Sequence, residues 1–179
     1  MTNCFHLAIP AGNIGKALGF YRDILGCKTG NQEEGRWIDI NFWGNELTLH
    51  ETKTKQVRER HDVDMGDVCV PHFGVHLEAK DFEEVKKRIE ASNIDYFDDP
   101  YRRFIGSKFE QETFFVEDPN GNVLEIKTMS NPEVLFETAS WFRTRKNWVS
   151  SLNFIVKFII LIYETIMLNS IDWSFLWTK

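Results

Sequence analysis

Cysteine is scarce in this chain of 179 residues: Cys4, Cys27 and Cys69 are odd in number, far apart and form no CxxC pair. Neither a disulfide framework nor a zinc knuckle is implied, and a reducing cytosol is the expected compartment. Positive charge is also in short supply. Lys and Arg total 21 against 27 Asp and Glu, a formal net charge of −6, so the basic field that draws nucleic acid is missing. GxSxG, P-loop and GxGxxG strings are absent too, which removes support for hydrolase triads, nucleotide kinases and dinucleotide enzymes. The first residues, MTNCFHLAIPAGN, lack the basic start and long apolar stretch of a secretory signal and read as a strand.

What is present is an ordinary globular composition, 42% hydrophobic and 27% charged, in a length that suits one compact domain plus an appendage. Phe5 to Pro10 reads as a short buried strand. Asn13 then offers an N-cap, and Ile14, Ala17, Leu18, Tyr21 and Leu25 recur at helical spacing up to Gly26. Trp37 to Phe42 and Leu47 to His50 alternate apolar and polar residues around Gly44-Asn45, a hairpin signature. The charged stretch from Thr52 to Gly66 lacks apolar periodicity and reads as a solvated connector.

After that connector the pattern restarts. Phe73 to Leu77 reads as a strand, Asp81 as the cap of a helix with Phe82, Val85 and Ile89 inward, and Thr113 to Val116 leads through the turn Asp118-Pro119-Asn120-Gly121 into a final strand, Asn122 to Lys127. GNELTLH at 44–50 stands beside GNVLEIK at 121–127, and the element order agrees across both halves, so the chain reads as an internal duplication. The expected class is α+β, with modules at about 4–51 and 70–129 in a domain over 1–130 and an extension over 131–179.

Strand alternation puts His6 opposite Phe5, Leu7 and Ile9, puts His72 and His76 opposite Phe73, Val75 and Leu77, and puts Glu125 opposite Leu124 and Ile126. Two histidines and one carboxylate are the donor set of open divalent sites. Taken singly, each is also compatible with an ordinary strand histidine or a solvated glutamate. Their matching positions in a duplicated unit are what a metal cupped between two halves requires. His50 shares a strand face with Thr48 and reads as a general acid or base, or as a surface histidine. Tyr101 and Arg103 alternate after Pro100, where the arginine would bind a substrate carboxylate or enolate, or stand in solvent.

FHLAIPAGNIGKALGFYRDILGC, WIDINFWGNELTLH, VPHFGVHLEAKDF and PYRRFIGSKFEQETFFVEDPNGNVLEIK together resemble the glyoxalase, bleomycin-resistance and extradiol-dioxygenase superfamily, the vicinal oxygen chelate proteins, over about residues 4–130. FYRDILG and DPNGNVLE are the most recognisable pieces, while HFG, PYRRF and EQETFFVEDPNG look like a dioxygenase-labelled branch. The resemblance implies paired βαβββ modules forming a cup-shaped mixed sheet, with metal ligands at His6, His72 and Glu125. Glyoxalase I-like members use a fourth ligand on the strand that mirrors the last one. Aligning the two GN strings places Thr48 there, and threonine is a poor divalent ligand. The chain therefore resembles the three-ligand members, extradiol dioxygenases and fosfomycin thiol transferases.

The implied function is oxygenation of a small vicinal-diol or enol substrate at Fe(II) or Mn(II). The alternatives are a non-redox lyase, isomerase or thiol transferase, and a non-catalytic binder like the bleomycin-resistance members. Members often pair modules between chains, so a homodimer is a further expectation.

Beyond about Ser130 the resemblance stops, and an apolar run over 152–168 carries only Lys157 and Glu164 as charges. It reads as a helical extension in weak membrane contact, as a helix docking on the domain or a second subunit, or as read-through without selected structure.

Overall fold

The computed structural model describes residues 3–57, 59–63 and 66–137, and Met1–Leu135 forms one compact unit. The apolar run over 152–168, with the three readings attached to it, lies outside the described residues. Among the described residues no helix is long and apolar enough to cross a membrane.

The first module runs β1 (His6–Gly12), α1 (Ile14–Leu18), β2 (Lys28–Glu33), β3 (Trp37–Phe42) and β4 (Asn45–Glu51). Asn13 caps α1 as expected, its Oδ1 accepting from the Lys16 amide at 3.0 Å and satisfying one of the open donors of the first turn. At Gly19 the helix widens into a π-helical turn, Gly19–Ile24, which lets the neighbours Phe20 and Tyr21 both turn inward. β1 lies parallel to β4, and the sheet order is β1-β4-β3-β2.

The second module repeats this plan with β7 (Phe73–Leu77), α2 (Ala79–Glu90), β8 (Asp98–Arg103), β9 (Gln111–Glu117) and β10 (Val123–Met129), in the order β7-β10-β9-β8 with β7 parallel to β10. The duplication read from the two GN strings is thus a duplication of topology. Even the turn glycines agree: Gly44 has φ +90° and Gly121 φ +92°, a left-handed conformation that a Cβ would strain. The result is a mixed α+β unit of two four-stranded mixed sheets with few helices, the expected class.

One core serves both modules. Alternation turns Ile9, Ile38, Ile40, Leu47 and Leu49 of the first sheet and Leu77, Phe114, Leu124 and Ile126 of the second toward Phe20, Phe82, Val85 and Ile89 of the helical segments, all of them buried. The opposite face of each sheet carries most of the polar side chains, Thr48 and Asp39 in the first and Thr113 and Glu125 in the second, the latter beside a small buried cluster of Cys69, Phe115 and Val123.

The DPNGN turn fastens the modules together. Asp118 Oδ2 accepts from the buried Tyr21 hydroxyl at 3.0 Å and from Asn122 Nδ2 at 2.7 Å, while Oδ1 accepts the amides of Asn120 and Asn122. Asn120 Nδ2 and Asn122 Nδ2 both donate to the Pro10 carbonyl, at 2.7 and 2.8 Å. Burial and the Asp118 carboxylate push the Tyr21 phenol well above its ordinary range, so it remains a donor.

Two expectations need correction. The stretch from Thr52 to Gly66 is not wholly a solvated connector: β5 (Arg60–Val63) and β6 (Gly66–Cys69) form an antiparallel hairpin. Cys69 is buried with Phe115 and Val123 of the second sheet, beside Val68 and Phe97, and Arg60 bridges Asp98 at 2.8 Å. Charge hid this hairpin, because its pairing is backbone-made and only a few of its side chains are apolar. The second helix also begins earlier than an Asp81 cap implies. Glu78 takes the cap position without a side-chain hydrogen bond, and Asp81 lies in the first turn, where its charge complements the helix dipole.

Candidate metal centre

The open face of the second sheet gathers the chemistry. His72 stands just before β7 and Glu125 in the middle of β10, and Gly74 lies directly opposite Glu125 in the register. A Cβ on Gly74 would meet the Glu125 carbonyl oxygen at 1.7 Å, so only glycine allows the two strands this approach. That contact carries His72 to the carboxylate: His72 Nε2 lies 3.2 Å from Glu125 Oε2.

The other ring nitrogen fixes the imidazole. His72 Nδ1 lies 2.5 Å from the Cys69 carbonyl, and a carbonyl can only accept, so Nδ1 carries the proton and the neutral ring offers the Nε2 lone pair to whatever cation Glu125 shares with it. The Phe115 ring packs edge-on against the imidazole, with centroids 5.3 Å apart. Thr113 Oγ1 donates to Glu125 Oε1 at 2.9 Å, and Lys127 Nζ lies 2.7 Å from Oε2.

Electrostatics follow from this crowding. Burial alone would push the Glu125 carboxyl up, but hydrogen bonds from His72 and Lys127, the Lys127 charge and the Thr113 hydroxyl outweigh it and bring its pKa down to about 2. The hydrogen bond to Glu125 raises the His72 pKa against the opposing effect of burial, with a smaller upward contribution from the Cys69 carbonyl. Two acceptors facing each other at this distance need a positive charge between them, supplied by the imidazolium proton or by a metal. The donor set, neutral imidazole plus buried carboxylate, fits a divalent cation.

The other expected residues fall as follows. His6, on β1, does not join this pair: its Nδ1 lies 3.3 Å from Glu46 Oε2, directly across on β4. Among the described residues no group of three His, Cys, Asp or Glu side chains stands close enough to hold a metal ion. The exposures of the two pairs differ sharply, 55% and 48% for the His6 and Glu46 side chains against 25% and 4% for His72 and Glu125. Thr48 donates to Asp39 at 2.7 Å, so its hydroxyl is already engaged. His50 is exposed on the first sheet between Pro10 and Trp37.

Tyr101 pairs with Thr113 and Arg103 with Gln111, which puts both on the open face of the second sheet. Burial raises the Tyr101 phenol, the Arg103 charge opposes that rise, and the Glu125 charge adds to it. His76 shares the face, its pKa lowered by burial and then by the Lys127 charge. Beside His72, an apolar pocket of about 250 Å³ is lined by Leu7, Ile9, Val57, Cys69, Pro71 and Val123, among others.

Sequence reasoning overlooked Thr113, Lys127 and the Cys69 carbonyl. Lys127 was legible as the second residue after Glu125 on the same strand face. Thr113 needed the β9–β10 register, and nothing in a sequence announces a main-chain carbonyl as a histidine's partner.

Residues 4–126 match the family model of the Glyoxalase/Bleomycin resistance protein/Dioxygenase superfamily. Among solved structures, a glyoxalase/bleomycin resistance protein/dioxygenase from Alicyclobacillus acidocaldarius is 32% identical, with a TM-score of 0.61 over 75% of this chain and 97% of that one. A lactoylglutathione lyase from Agrobacterium tumefaciens (20% identity, TM-score 0.50, 72% and 94% covered) and a genomically encoded fosfomycin resistance protein from Listeria monocytogenes (14%, 0.52, 74% and 96%) share the fold. Among curated proteins none matches this chain.

Proposed function

We propose that this chain, which belongs to the Glyoxalase/Bleomycin resistance protein/Dioxygenase superfamily, is a divalent-metal enzyme that oxygenates a small vicinal-diol or enol substrate. The observation that carries the reading is the His72–Glu125 pair, with Nδ1 locked on a carbonyl and Nε2 facing a buried carboxylate.

His72 and Glu125 would hold the metal, Fe(II) or Mn(II), with His6 as the third ligand. Bound there, the ion would supply Lewis acidity toward the substrate's oxygens and the redox chemistry that oxygenation needs. His6 and His72–Glu125 are half-sites on two open faces of one chain. In a twofold dimer the first module of each copy meets the second module of the other, so two complete sites form at once. Thr48, tied to Asp39, leaves the fourth protein position unfilled, which favours an open oxygen-handling site over a four-ligand one.

The chain's own residues then divide the remaining work. Thr113 keeps Glu125 in one orientation, and the apolar pocket beside His72 takes the carbon skeleton of the substrate and excludes water from it. Tyr101 and Arg103 face the substrate's oxygens from β8, and His50, brought by the second copy with His6, moves protons. Cys4, Cys27 and Cys69 form no disulfide, which fits work in a reducing cytosol.

Anaerobic purification with metal analysis, followed by oxygen uptake on a panel of catechols, tests the reading. Bound iron or manganese with oxygen uptake is the expected result. Bound metal without uptake on any diol would replace oxygenation by non-redox lyase, isomerase or transferase chemistry at the same ligands. A protein that takes up no metal would remove the enzyme reading altogether.

A further inference from the structure

The register of the second sheet sets two polar rows side by side on its open face. Gly74, Glu125, Phe115 and Asp98 form one, and His76, Lys127, Thr113 and Tyr101 form the next. Lys127 reaches back across the rows, placing Nζ 2.7 Å from Glu125 Oε2, the oxygen that also faces His72. The Lys127 side chain is only 23% exposed. A half-buried cation is tolerated because it is paired. If Glu125 turns to a divalent cation instead, like charges crowd the same oxygen and Lys127 loses its partner while still largely out of water. Its four-carbon stem allows the ammonium to swing, and its neighbours in the row, His76, Thr113 and Tyr101, bear no formal negative charge at neutral pH. Asp98, beyond Phe115 on the same face, is already held by Arg60 at 2.8 Å, which leaves an anion on the substrate as the partner for the released ammonium.

We propose that Lys127 is a displaceable internal counter-ion, which pairs with the Glu125 oxygen that faces His72 in the metal-free protein and then binds a carboxylate on the substrate once Glu125 has turned to the metal. The inference rests on the metal reading above and deepens it in two ways. The substrate class becomes small carboxylates with a neighbouring hydroxyl or enol oxygen, and loading becomes ordered, metal first and anion second.

The test uses the full chain. Mn(II) is titrated into wild type, Lys127→Met and Lys127→Arg and followed by the electron paramagnetic resonance signal of free Mn(II). Glycolate is then titrated into the Mn(II)-loaded proteins and followed by water proton relaxation. Removing the competing ammonium should tighten Mn(II) binding in Lys127→Met by about tenfold or more, while glycolate affinity falls by about tenfold or more. Lys127→Arg, which keeps the charge, should stay close to wild type in both. Lys127→Gln carries the expectations of Lys127→Met should that variant fail to fold. A wild type that binds Mn(II) beside a Lys127→Met variant that binds it no more tightly would overturn the counter-ion role and leave the metal site standing. Unchanged glycolate affinity in Lys127→Met would overturn the substrate assignment. A wild type that takes up no Mn(II) would overturn the metal reading, and the role of Lys127 with it.

Discussion

The two modules place a histidine and a carboxylate on the open face of the same pair of strands, yet they treat them differently. In the first, His6 and Glu46 lie directly across from one another and are about half exposed. In the second, the carboxylate has moved two residues along the strand to Glu125, is buried, and is held by Thr113, His72 and Lys127, with the hairpin from Arg60 to Cys69 against its module. Register equates Ala8 with Gly74, Thr48 with Glu125 and His50 with Lys127, since Ala8 pairs with Thr48 as Gly74 pairs with Glu125. One topology therefore carries one buried, tightly held histidine–carboxylate pair and one exposed pair; in the proposed dimer the second module would lend orientation and the first a further ligand.

Several experiments break or sharpen that contrast. The largest effect is expected from Gly74→Ala, which gives the second module the residue of the first. With a Cβ placed 1.7 Å from the Glu125 carbonyl oxygen, the strands must part, and a loss above about 4 kcal/mol is expected in denaturant unfolding. Ala8→Gly, the reverse change, should cost no more than about 1 kcal/mol.

Next comes the metal itself. Glu125→Gln should lower Mn(II) affinity by more than about 100-fold, beyond the usual cost of losing an outer partner, whereas Thr113→Val should cost about 10-fold and Thr48→Val almost nothing. Metal titrations on the three variants rank them. Equal losses at Thr48 and Glu125 would erase the asymmetry between the modules.

The fastening between modules is expected to be worth less. Tyr21→Phe removes a buried donor from Asp118 and should cost about 1–3 kcal/mol in thermal or denaturant unfolding.

The pH dependence comes from the buried pair. Glu125 has a lowered pKa, so its contribution to the stability of the metal-free protein is complete above its ordinary value of 4.5 and is lost as the pH falls toward about 2. His72 has a raised pKa, so its contribution is complete below 6.5 and is lost as the pH rises through its folded value. The metal-free melting temperature should therefore gain most from the pair between those values, while metal affinity climbs with pH as His72 gives up its proton. Melting curves of the metal-free protein in which Glu125→Gln leaves this profile unchanged would detach the pair from stability.

The smallest effect is a count of thiols. Cys27 and Cys69 are buried, and burial pushes the Cys27 thiol up to about 12, while Cys4 is exposed. A thiol reagent should label one cysteine quickly in the native protein and all three after unfolding.

Much of this was readable in the chain. Alternation and capping located the strands around His6, Trp37, Phe73 and Glu125 and the start of the first helix at Asn13, because those signals are local and periodic. The paired GN strings revealed the duplication because a turn glycine with positive φ leaves a fixed mark. What stayed hidden was cross-strand or main-chain in origin. The π-helical turn that buries both Phe20 and Tyr21, the hairpin beneath the charges of 52–66, the Thr113–Glu125 bond and the Cys69 carbonyl all depend on register or backbone position. Alternation assigned His6, His72 and Glu125 to equivalent faces, but a face says nothing about whether two sheets of one chain close on each other, and here His6 stands with Glu46 instead.

The central claim, that the two unequal half-sites complete each other between copies, can be tested with two damaged chains. His6→Ala and Glu125→Gln are each expected to bind Mn(II) poorly alone. When they are unfolded together and refolded as a mixture, half-sites joined between copies restore on the order of one intact site for every four chains, because each mixed dimer pairs both lesions in one site and neither in the other. Mn(II) binding that stays at the level of the separate variants, in a mixture shown to contain mixed dimers, would contradict the claim and place any metal within a single chain.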